Sequence, residues 1–80
     1  MSNRSHRLWY FEAHLSAGGR VAVDAEGATV ESADDILKSA YAGTESQAHQ
    51  EADRRCALYD AAHSHPAKAM SFSPVSTLPT

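Results

Sequence analysis

From Arg7 to Leu15 apolar and polar residues alternate, with Trp9, Phe11, Ala13 and Leu15 on one side and Tyr10, Glu12 and His14 on the other. A period of two with this aromatic content predicts a half-buried β-strand. Ser16-Ala17-Gly18-Gly19 follows, and its paired glycines suit a tight reversal before Arg20-Val21-Ala22-Val23-Asp24 resumes the alternation. Together the two stretches predict a β-hairpin. A further turn signal at Glu26-Gly27 precedes Ala28-Thr29-Val30-Glu31, a candidate short third strand.

Beyond Glu31 the pattern becomes helical. Ser32 with Asp35 three residues on is a capping-box pattern, and Asp34 and Asp35 place negative charge where a helix N-terminus favours it. Ile36, Leu37, Ala40 and Tyr41 recur at helical spacing and Gly43 reads as a left-handed C-cap, so the sequence predicts a helix over 33–42. Thr44 and Gln47 form a second capping pattern, opening a helix over 45–63. Along that helix Ala48, Ala52, Cys56 and Tyr59 make a narrow stripe of mostly small side chains. Such a stripe permits close approach to a neighbouring element or to a second copy of the chain, so these four residues are a candidate oligomer interface. Pro66 ends the helical region, and the Ser/Pro/Thr-biased stretch to Thr80 reads as a flexible tail. The expected fold class is therefore α+β: a small antiparallel β-hairpin, or a three-stranded sheet, packed against one or two C-terminal helices. One domain over 1–65 and a disordered tail over 66–80 complete that expectation.

Composition thins the expected core. The chain has 80 residues, and alanine supplies much of its apolar content. A methyl side chain contributes little at about 25 cal/mol per Å² buried, so such a core gains from a partner or an oligomer. Cys56 is the single cysteine, which leaves no internal disulfide and fits a reducing compartment. No stretch has the length and apolarity of a membrane span, and the first residues do not lead into the apolar run of a signal peptide. The expected location is cytoplasmic, with no membrane insertion.

Charge is distributed unevenly. The formal net charge is −3, from 7 Lys and Arg against 10 Asp and Glu. Arg4, Arg7 and Arg20 face only Glu12 in the first twenty residues, whereas Asp24, Glu26, Glu31, Asp34 and Asp35 follow with no basic residue among them. These five carboxylates are a candidate rim for a protein partner with a basic surface. Arg4, Arg7, Tyr10 and Arg20 combine cations with an aromatic ring and are candidate contacts to a partner or to nucleic acid. The deficit of positive charge argues against nucleic acid as the main partner.

Candidate chemistry is sparse. His49, Cys56 and His63 fall at intervals of seven, but on one helix this separates neighbours by roughly 10 Å, too far for a shared metal ligated at about 2.3 Å. His63 and His65 alone do not complete a metal site. Cys56 lies mid-helix on the apolar side, without the adjacent base that activates a thiol. The glycines join strands and do not open a helix as a phosphate-binding loop does. No catalytic residue, metal or cofactor is expected, and the protein is read as non-enzymatic. In size, layout and lack of catalytic residues the chain is similar to the small inhibitors that phages and mobile elements direct at host defence complexes, such as anti-CRISPR proteins. That similarity is one of form. It implies a protein-binding inhibitor or modulator that occludes a partner's surface. A homo-oligomeric structural or adaptor protein and a small nucleic-acid-binding module are the alternative readings.

Overall fold

In the computed structural model, which describes residues 6–64 and 67–75, the alternating stretch is β1 (Arg7–Leu15) and everything else is arranged around it. The loop after β1 closes with hydrogen bonds from the Gly18 amide to the Leu15 carbonyl and from the Leu15 amide to the Gly19 carbonyl. Gly18 and Gly19 both take positive φ, the backbone region that a β-carbon disfavours. The hairpin partner is β2 (Arg20–Val23), and β3 (Thr29–Val30) pairs with β2 in turn. The sequence-predicted hairpin and third strand are therefore present.

The remaining strands were not foreseen. β4 (Tyr41–Gly43) pairs with Arg7–Trp9, and β5 (Ala67–Pro74) runs along β1 from Trp9 to Leu15, making a five-stranded antiparallel, curled sheet. Trp9 faces both Tyr41 and Pro74, and Phe11 faces both Val23 and Phe72. Since a strand has two edges, β5 fills one, while β2 and β4 divide the other end to end.

Two segments differ from the sequence expectation. The tail expected over 66–80 is strand from Ala67 to Pro74; residues 65, 66 and 76–80 lie outside the described residues. Strand β5 forms because Met70 and Phe72 fall opposite Ala13 and Phe11, on the face that β1 needs covered. The helix expected over 33–42 is α1 (Ala33–Lys38), and Tyr41 belongs to β4. Gly43 is no left-handed cap, because the positive-φ residues are Gly18, Gly19 and Gly27. Its carbonyl instead accepts the buried indole N–H of Trp9 at 2.8 Å. Strand pairing against a long aromatic strand outweighs the helical spacing of 36–41, which propensity alone favours.

One long helix, α2 (Glu45–Ala62), lies on the sheet face that carries Trp9, Phe11 and Ala13. It opens as expected, with the Thr44 hydroxyl accepting the Gln47 amide and the Gln47 side chain accepting the Thr44 amide. Ala48 and Ala52 pack beneath Trp9 and Phe11, with Tyr41, Met70 and Phe72 around them. Tyr59 packs on Ala13 and Val23. The core is thus a layer of aromatics from the sheet against a layer of small residues from the helix, which lets the two approach closely.

Gly27 lies in close contact with the α2 backbone. Its φ is +82°, and a β-carbon there would lie 2.7 Å from Leu58 Cβ and 2.8 Å from the Leu58 carbonyl carbon. Replacement by alanine meets both an unfavourable backbone region and helix backbone that cannot yield locally. Gly27→Ala is expected to cost about 2–4 kcal/mol. Urea unfolding followed by fluorescence of Trp9, the single tryptophan, measures it.

Candidate functional site

The candidate site is the excursion from Asp24 to Ala40, which carries the acidic residues and is fixed at its root by α2. Asp24 turns the chain: its Oδ1 accepts the amides of Glu26 and Ala28 at 2.8 and 2.9 Å. Asp24 is therefore a structural acid, and half-buried. Glu26, Glu31, Asp34 and Asp35 are exposed. At the start of α1 the Ser32 hydroxyl accepts the Asp35 amide at 3.1 Å, which explains Ser32 as a cap but leaves the Asp35 carboxylate in solvent.

Arg55 holds this excursion at both ends. Its side chain is 2% exposed, with Nη1 donating to the Val23 carbonyl at 3.1 Å and Nη2 to the Ser39 carbonyl at 3.0 Å. Those carbonyls mark where β2 leaves the shared edge of β1 and where the chain returns toward β4. A split edge interrupts the strand ladder, and the forked guanidinium supplies the missing donors. Its Nε donates to Glu51 Oε2 at 2.7 Å, and its carbon lies 4.3 Å from the centre of the Phe11 ring. Arg54 binds the same carboxylate through Nε and Nη2 and reaches the Ala25 carbonyl at 2.9 Å. One carboxylate thus orients two arginines that hold three backbone carbonyls.

The hydrogen bond from Arg54, aided by the hydrogen bond and charge of Arg55, holds the Glu51 carboxyl below the usual glutamate range against the opposing effect of burial. A depressed folded value gives stability that is fully present above the unfolded pKa and is lost as pH falls through the folded one. The stability difference between wild type and Glu51→Gln should accordingly be full at pH 7 and shrink below about pH 4. Urea midpoints measured from neutral to acid pH check this.

The other sequence-predicted residues are dispersed. Arg7 pairs in register with Gly43, on the opposite side of β1 from Tyr10 and Arg20. Arg20 lies 3.8 Å from Glu12, so its charge has a counterion. Arg4 lies outside the described residues. The basic-aromatic group is therefore not gathered into one patch among the described residues.

The small-residue stripe is occupied by the chain itself. Ala48, Ala52 and Tyr59 are buried under the sheet, leaving Cys56 half-buried at the border. Those three side chains are not available to a second copy in this fold, which corrects the interface expectation for them. Burial, and then the charges of Asp60 and Asp53, push the Cys56 thiol up, which lowers its thiolate fraction at neutral pH.

The histidines find local partners. His63 stacks on Tyr59 with centroids 3.9 Å apart, and its Nδ1 donates to the Tyr59 carbonyl at 2.8 Å. His49 meets Phe72 edge to face, and His14 bonds Ser71 at 2.8 Å. Among the described residues no group of three His, Cys, Asp or Glu is placed to hold a metal, and no helix is long and apolar enough to cross a membrane. A mostly apolar cleft of about 420 Å³ lies where Leu15 and Ala17 meet Tyr59 and His63. Neither the cleft nor Arg55 was found from sequence.

No family model, curated protein or solved structure matches this chain.

Proposed function

We propose that this domain is a non-enzymatic protein-binding module that occludes a basic surface of its partner with the acidic excursion between β2 and β4. One observation carries the reading: Glu26, Glu31, Asp34 and Asp35 are exposed, and none forms an ion pair among the described residues. The described ion pairs use Glu12 and Glu51 instead. Carboxylates without an ion-pair partner on one exposed segment give a local negative field, which accelerates encounter with a positive surface and orients it. A partner whose own ligand is a nucleic acid has such a surface, which is the situation of a small inhibitor acting by occlusion.

Charge reversal tests this reading without damaging the turn, provided Asp24 is kept. The triple variant Glu26→Lys, Glu31→Lys, Asp34→Lys should retain the wild-type unfolding free energy within about 1 kcal/mol per site, the largest share falling at Asp34 in the first turn of α1. Tagged wild-type chain should capture one stoichiometric protein from its source cells at low salt, and the variant should not. Equal capture of the same protein by the variant would overturn the assignment of this surface.

A further inference from the structure

Between β3 and β4 the chain leaves the sheet over residues 31–40, and its anchorage there is slight. No residue of α1 is buried, Ile36 is half-buried, and Leu37 is 48% exposed. A helix of 6 residues is too short to persist in water by itself. Most of its hydrogen bonds are internal: Ile36 to Ser32, Ser39 to Asp35 and Ala40 to Leu37 along the backbone, with the Ser39 hydroxyl donating to the Ile36 carbonyl. Among the described residues, one hydrogen bond reaches the segment from α2, Arg55 Nη2 to the Ser39 carbonyl.

The other partners of Arg55 make this contact separable. When the Ser39 carbonyl departs, the guanidinium keeps Glu51, the Val23 carbonyl and the Phe11 ring, so no buried charge is stranded. Both ends of the segment remain tied, through Thr29–Val30 on β2 and through Tyr41–Gly43 on β1. We infer that residues 31–40 form a strap that opens and closes as a unit, latched at Ser39 by Arg55, while the sheet and α2 stay folded. Glu31, Asp34 and Asp35 ride on this strap. Its motion therefore sets the spacing between those charges and Glu26, a consequence that rests on the proposed binding surface, whereas the strap itself does not.

Amide exchange measured by NMR on the full chain, in wild type and in Leu37→Gly, tests the strap. In wild type the amides of Ile36, Ser39 and Ala40 should exchange through an opening at least about 30-fold more populated than the one exposing Phe11 and Ala13, with little dependence on urea. Leu37→Gly lowers helix propensity at an exposed position, so it should speed those three amides about five-fold and leave Phe11 and Ala13 unchanged. Equal acceleration of both sets would show that the segment opens only with the whole domain and overturn the strap. Exchange of the three amides at free-peptide rates in wild type would overturn the latch. The measurement needs no partner, so a failure of the proposed binding would leave its outcome intact.

Discussion

Arg55→Ala should unfold a large fraction of the protein or lower its stability by about 3–5 kcal/mol, the range for removing one partner of a buried, paired charge. The substitution removes donors from the Val23 and Ser39 carbonyls, and takes one of the two arginines from Glu51. It also vacates the space over Phe11, whose ring is 1% exposed. A domain of this size has a total stability of roughly 5–15 kcal/mol, so the loss is a large share of it. Arg55→Lys retains the charge but cannot reach Val23, Ser39 and Glu51 together through one planar fork, and should fall between alanine and wild type. Urea unfolding followed by Trp9 fluorescence ranks the three proteins. Equal midpoints would show that the split edge of β1 does not depend on the guanidinium.

Removing β5 should be as severe. A chain ending at Ser64 loses the strand that covers one edge of β1 from Trp9 to Leu15 and, with it, Met70 and Phe72 from the aromatic layer. Phe72 meets Trp9 edge to face at 5.4 Å and lies 6.1 Å from Phe11. The truncated chain should show neither a fixed near-ultraviolet signal from Trp9 nor a cooperative urea transition. The milder Phe72→Ala should retain the fold with about 2–3 kcal/mol less stability, below the full core value because the ring is half-buried. A truncated chain with the wild-type midpoint would assign residues 67–74 back to a dispensable tail.

Arg55 and β5 differ in how far the sequence makes them legible. The first strand, its hairpin, the third strand and the long helix each follow from local signals: period-two aromatics, paired glycines, and a capping box at Thr44. β5 is written in weaker letters. Met70-Ser71-Phe72-Ser73 alternates correctly, but its serines and flanking prolines resemble a tail, and its reason for ordering lies far away on β1. Non-local pairing has no local signature.

Arg55 was hidden for a different reason. The buried stripe of α2 is Ala48, Ala52, Arg55 and Tyr59, which keeps helical spacing as well as the stripe through Cys56 does. Preference for an apolar residue selects Cys56, and the i,i+4 placement of Glu51 before Arg55 was the available sign that the cation had a partner. Of the acidic residues, sequence locates all five but does not separate Asp24, which folds the turn, from the four that face solvent.

The proposed function rests on the exposed carboxylates of Glu26, Glu31, Asp34 and Asp35 meeting the partner. Titrating the captured protein by calorimetry with wild type and with the Glu26→Lys, Glu31→Lys, Asp34→Lys variant, at low and at high salt, tests it most directly. Wild-type affinity should fall at least about ten-fold as salt screens the charges, and the variant should bind at least about a hundred-fold more weakly at low salt with its fold unchanged. Affinities indifferent to both salt and charge reversal would contradict the proposed function.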